Sequence, residues 1–107
     1  MKMKWYVIPV DGAAYFHEFE SEDGVLKELQ SLVGGLVECI GIDHEADLWV
    51  NEEGLLTGML FNETATYILQ ALGMEEAFIV GPAVLAGWDK ETGDTVGLSE
   101  VWLEVLS

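Results

Sequence analysis

The sequence predicts a single α+β domain: a mostly antiparallel or mixed sheet, two helices on one face of it, and a short C-terminal helix. Three observations lead there. Strand-like runs follow one another through turn signals instead of alternating strictly with helices. Two stretches carry apolar residues at helical spacing between capping residues. The 107 residues provide for one core and little more. A small barrel of the SH3 or OB kind is the alternative, which two substantial helices disfavour.

Lys4 to Val10 is aromatic and β-branched and reads as the first strand. Asp11-Gly12 signals a hairpin turn. The return strand, Ala13 to Phe19, alternates, with Ala13, Tyr15, His17 and Phe19 on one side and Ala14, Phe16 and Glu18 on the other. Ser21 or Asp23 can cap a helix from about Val25 to Val33, whose apolar stripe is Val25, Leu26, Leu29, Leu32 and Val33. Gly34-Gly35 stops that helix.

Leu36 to Ile42 is a third strand, and Asp43 to Asp47 a polar turn. Leu48 to Asn51 and Leu55 to Phe61 read as two more strands across the reversal Asn51-Glu52-Glu53-Gly54, with Gly54 in the left-handed position. Asn62 caps a helix from Glu63 to about Leu72, with Ala65, Ile68, Leu69 and Leu72 inward and Gly73 after it. Phe78 to Trp88 reads as one long strand. Pro82 cannot donate to a ladder, so this strand is expected to start at a sheet edge or to carry a bulge. Thr95 to Leu98 is a short strand, and Ser99 caps a final helical turn from Glu100 to Leu106.

Charge is the compositional outlier. Twenty acidic residues face four lysines (Lys2, Lys4, Lys27 and Lys90) and no arginine, for a net charge of −16. Binding a nucleic-acid backbone needs several cations to displace counterions, and docking on an anionic membrane needs a basic patch. Neither partner is expected. Solubility or a salty cytoplasm explains the charge plainly, and an acidic surface that meets a basic partner explains it more sharply. The segment Met1 to Val10 superficially resembles a secretory leader. Pro9 interrupts its apolar stretch and Asp11-Gly12 replaces a cleavage site, so a buried strand is the better reading. One cysteine, Cys39, leaves no internal disulfide and fits a reducing, cytoplasmic compartment.

No familiar catalytic or metal-binding pattern is complete. Asp43-His44-Glu45-Ala46-Asp47 alternates acids as a calcium loop does, but Leu48 and Gly54 stand where such a loop needs Gly and a bidentate Glu. His17 and Glu18 are strand neighbours and face opposite sides. Cys39 lies in an apolar strand and reads as a small core residue. Gly34-Gly35 and Gly81 match neither a P-loop nor a dinucleotide fingerprint. No enzyme, metal or cofactor is expected. The four tryptophans read as core, although Trp88 falls at a strand end where an interface anchor is an alternative. The candidate binding residues are Asn51, Glu52 and Glu53 in one turn, Asp43, Glu45 and Asp47 in another, and Trp88.

Three segments also carry a likeness. They are Leu29-Gln30-Ser31-Leu32-Val33-Gly34-Gly35-Leu36-Val37-Glu38; Trp49 to Gly54 with Gly58, Asn62 and Ala65-Thr66; and Gly81 to Gly87 with Thr95 to Leu98. Together they resemble the successive motifs of a small uncharacterised family common in bacteriophage genomes, particularly those of actinobacterial phages. The likeness begins near Val25, and Met59-Leu60-Phe61 stands where the family pattern has a proline. It implies a phage or prophage origin and an accessory role, and it brings no catalytic residue. The function expected is non-enzymatic binding of a host protein with a basic surface, in one variant by mimicry of nucleic acid. The alternative is binding or sequestering a nucleotide, whose phosphate would need helix N-termini or backbone nests for want of arginine.

Overall fold

A computed structural model describes residues 2–21 and 24–107. The strands are β1 (Lys2–Ile8), β2 (Tyr15–Glu20), β3 (Val37–Gly41), β4 (Ala46–Asn51), β5 (Ala83–Trp88) and β6 (Thr95–Val96). The helices are α1 (Val25–Val33), α2 (Glu63–Ala71) and α3 (Glu100–Leu106). The strands form one open sheet of order β2-β1-β5-β4-β3, with β6 added to β5, and every pairing is antiparallel. The α+β class and the antiparallel sheet are as the sequence predicts, and the sheet does not close into a barrel.

The placement of the helices differs from the expectation of two on one face. Trp5 and Val7 of β1 with Val84 and Ala86 of β5 bury against Leu29 and Val33 of α1. Ile8, Ala46, Leu48, Val50, Ala83 and Leu85 point to the other face, where Ala65 and Leu69 of α2 and Trp102 of α3 cover them. The reason is in the strands. Both alternating sets of side chains are apolar in β5 and in the Trp5–Ile8 half of β1, so each face needs its own cover there.

Local signals explain most boundaries. Pro9 has no N–H and ends β1 early, so β1 and β2 join through a loop wider than a tight Asp11-Gly12 hairpin, with Val7 opposite Tyr15 as the last pair. Gly24 is the N-cap of α1 and supplies no side-chain bond. The alternative cap Asp23 lies outside the described residues. Gly34 ends α1 in the left-handed conformation, at φ 82. His17 Nε2 lies 2.6 Å from Glu28 Oε2 and ties β2 to α1.

Two expected strands change. Leu55 to Phe61 is not a strand: Thr57 N donates to Glu53 O and Met59 N to Gly54 O, winding residues 52–58 into turns. Only Phe61 bridges, to Val80. Gly54 does not take a positive φ. A Cβ there would stand 2.9 Å from Val80 Cγ2, so close approach is what selects glycine. The long strand from Phe78 shortens to Ala83–Trp88, which sits at the centre of the sheet and neither at an edge nor on a bulge. Pro82 lies just outside it, where no ladder bond is asked of it.

Asn62 joins these parts. Its Oδ1 accepts from Ala65 N and caps α2, while its Nδ2 donates to Ile8 O and to Gly81 O, at 2.9 Å each. The side chain is fully buried. Asn62→Ala would leave two buried carbonyls and a helix N–H unpaired, and is expected to lower unfolding free energy by about 3 kcal/mol in urea titrations. Asn62→Asp keeps the capping acceptor but sets a carboxylate against two carbonyl oxygens, so at neutral pH it should not rescue the loss.

Candidate functional site

The predicted binding residues fall at opposite ends of β4. Asp43 and Glu45 precede the strand, Asp47 is its second residue, Asn51 is its last, and Glu52 and Glu53 follow it. The five residue steps from Asp47 to Glu52 span roughly 17 Å of extended chain. They do not form one cluster.

At the first end, the polar groups bind the protein itself. Asp43 Oδ1 accepts from Glu45 N, its Oδ2 accepts from Trp102 Nε1 at 3.2 Å, and its carbonyl accepts from Trp88 Nε1 at 3.0 Å. Half-buried Trp88 thus tethers the turn to the end of β5, and its indole N–H is engaged by the Asp43 carbonyl. Among the described residues, no three His, Cys, Asp or Glu side chains gather as a metal site would need.

Along β4, Asp47 lies diagonally across from Cys39 of β3. Cys39 is exposed, not the core residue its sequence context suggests, because β3 is an edge strand. Partial desolvation at the sheet surface pushes its thiol up to about 11, and the charge and hydrogen bond of Asp47 add to the rise. The Asp47 carboxyl is itself raised by burial and by the Asp43 charge, against a lowering by the Cys39 hydrogen bond.

At the other end, Asn51 is buried: its Nδ2 donates to Val33 O and its Oδ1 accepts from Glu53 N. Glu52 and Glu53 project into solvent. Glu52 forms part of a hollow of about 240 Å³ beside β3, walled by Glu38, Ile40, Leu55, Phe78 and Val80. A second hollow, of about 480 Å³, lies on the outer side of α2 between Phe61, Glu63, Thr64 and Tyr67. The rings of Phe61 and Phe78, 5.0 Å apart, separate the two. An exposed apolar belt therefore runs from Tyr67 through Phe61 and Phe78 to Leu55, and Leu55 is 75% exposed. Carboxylates of Glu38, Glu52 and Glu63 rim it.

Sequence reasoning found Asn51 and Glu52 of this region and missed Glu38, Leu55, Phe61, Tyr67 and Phe78. Assigning Leu55 to Phe61 to a strand hid the signal, since the apolar residues of a strand are expected to pack. Leu55-Leu56 and Leu60-Phe61, flanking Gly58 in a turn-rich stretch, are the pattern that could have marked it.

The fold and this edge define a small open-sheet α+β domain with an acid-rimmed apolar groove. The chain belongs to the family described as a domain of unknown function (DUF3846), whose profile matches residues 3–106. That agrees with the motif likeness at the level of a domain family of unknown function. No curated protein and no solved structure shows significant similarity to the chain. No helix among the described residues is long and apolar enough to cross a membrane.

The Cys39–Asp47 contact has measurable consequences. At pH 8 a thiol titrating near 11 is about 0.1% thiolate, against about a quarter for an ordinary cysteine. Cys39 should therefore react slowly with Ellman's reagent despite its exposure, and Asp47→Asn should speed the reaction several-fold. The Asp47 carboxyl holds its proton more tightly in the folded state than in the unfolded one. Its contribution to stability therefore grows as pH falls through its folded pKa and is lost as pH rises past it. Asp47→Asn should flatten the acid-side part of the stability–pH curve.

Proposed function

We propose that this chain is a non-enzymatic, phage-type accessory protein that binds a host protein through its acidic surface. The observation that carries the reading is the exposed apolar belt rimmed by Glu38, Glu52 and Glu63, in a segment without a lysine or arginine from Glu28 to Asp89. Apolar area supplies affinity, and charged rims supply orientation and encounter rate, as in protein interfaces generally. Both hollows present carboxylates, which repel phosphate, so the nucleotide-binding alternative has no observation in its favour.

Mimicry of a duplex is the less supported variant. Sixteen charges match about 27 Å of DNA at ~1.7 Å per charge, and the molecule measures 34 × 29 × 25 Å. The size is adequate. The carboxylates, however, sit on both faces of the sheet and on all three helices, from Glu18 and Glu28 to Glu63, Glu100 and Glu104. A nucleic-acid track needs them in a row.

Salt separates self-repulsion from partner attraction. Raising ionic strength from about 0.01 M to about 0.15 M shortens the Debye length from about 30 Å to about 8 Å, which is less than the width of the molecule. The melting temperature should rise over that range, because repulsion among the carboxylates is screened. Proteins captured from bacterial lysate by the immobilised chain should be basic and should elute over the same range. Capture indifferent to salt, or a melting temperature raised by one nucleotide, would overturn the reading.

A further inference from the structure

We propose that the free edge of β3 is a strand-addition site, where an extended basic segment of the partner protein pairs with β3 and rests its side chains in the adjoining groove. This rests on the protein-binding reading above and locates it.

The register of β3 against β4 fixes which backbone groups are free. Leu36 O accepts from Glu52 N, and Ile42 N donates to Ala46 O. Both pairs belong to the single register in which Glu38 faces Val50 and Ile40 faces Leu48. In an antiparallel ladder, residues that exchange hydrogen bonds alternate with residues that do not. The even-numbered residues therefore bond inward to β4. The N–H and C=O groups of Val37, Cys39 and Gly41 point outward from the sheet, and among the described residues no other strand pairs there. Cys39 and Gly41 are exposed, so this edge is not capped from either side.

The groove says what the added strand carries. Side chains of Glu38 and Ile40 stand on one face of β3 and form a wall of the 240 Å³ hollow, with Leu55 and Phe78 opposite and Glu52 at its rim. A strand laid along β3 at the usual ~4.8 Å would place alternate side chains over that hollow. One falls beside the Glu38 carboxylate and the next on that face beside Ile40. A lysine or arginine followed two residues later by an apolar side chain satisfies both. The opposite edge offers no such complement. On β2, Glu18 and Glu20 lie across from Lys4 and Lys2, so cations already stand there.

A second copy of this chain is a poor occupant. Pairing two β3 edges would bring together molecules of net charge −16 and two Glu38-lined grooves. Charge complementarity favours a basic segment instead.

The test is selection of displayed random peptides against the intact chain, followed by binding measurements on synthetic copies. Basic peptides with the alternating pattern should be enriched. N-methylation scanned along the best one should weaken binding at every second residue only, since alternate N–H groups face β3. Cys39→Pro removes an outward N–H and spares the β3–β4 ladder, so it should weaken binding about tenfold or more while Cys39→Ala binds as the parent does. Glu38→Lys should weaken it by a similar factor, and Glu75→Lys should not. Enrichment of basic peptides whose binding ignores Cys39→Pro and shows no alternation under N-methylation would overturn the strand-addition site alone. Failure to enrich basic over acidic peptides would overturn the protein-binding reading with it. The N-methyl scan uses the unaltered protein, so a misfolded variant cannot mask either result.

Discussion

Ala83, Val84, Leu85 and Ala86 are all withdrawn from solvent, although successive side chains of a strand point to opposite sides of its sheet. Strand β5 can be buried in this way only if both faces are covered, and the rest of the architecture follows from that. One alternating set, Val84 and Ala86, packs under α1, and the other, Ala83 and Leu85, packs under α2 and α3. Burying a leucine such as Leu85 is worth about 2 kcal/mol, so leaving either face bare would remove a large share of a marginal stability. With the centre committed to packing, unpaired backbone and open apolar surface occur at the sheet edges and in the turns.

The second tier of order comes from two buried asparagines. Asn51 bonds the end of α1 to the end of β4, and Asn62 bonds the end of β1, the approach to β5 and the start of α2. Thr66 adds a bond from Ile79 N to its hydroxyl. Between the two asparagines, the chain winds through the turns of residues 52–58 and presents Leu55 outward. The motifs that carry the family likeness, Asn51 to Gly54 and Asn62 with Ala65-Thr66, are thus mainly tethers for the groove wall. Asn51, Asn62 and Thr66 turn their polar groups inward, while Glu52 and Glu53 face solvent and only Glu52 among them joins the rim of the groove.

This division explains what the sequence could disclose. The course of helix α1 was legible, because its apolar stripe and Gly34 stop are local signals, although its N-cap is Gly24 and Leu26 of the stripe is exposed. Helix α2 was nearly so, through Asn62. The strand-like reading of Leu55 to Phe61 failed because composition alone decided it, while the structure turns on Gly54's contact with Val80, 26 residues further along the chain and invisible to a local window. The placement of helices on two faces was encoded in the double apolar pattern of β5 and of Trp5 to Ile8 in β1, but the long run Phe78 to Trp88 obscured where β5 begins. At the site, Glu52 was found because turns draw attention. Glu38 was not, because nothing local reveals that β3 is an edge strand; that depends on the order of all the strands.

Edge position and charge then bear on each other. An exposed strand edge is a template for any chain with free backbone groups, and proteins blunt it with charge, proline or a bulge. Strand β3 has no proline and no lysine, and its outward residues Val37, Cys39 and Gly41 are neutral or apolar. What guards it is the field of the whole molecule together with Glu38. That guard discriminates by sign. It repels copies of the same chain and other acidic proteins, and on the proposed reading it would draw a basic segment to β3, where backbone pairing and an apolar groove coincide. The same carboxylates that cost the compact state stability by repelling one another thereby oppose self-association at its open edge.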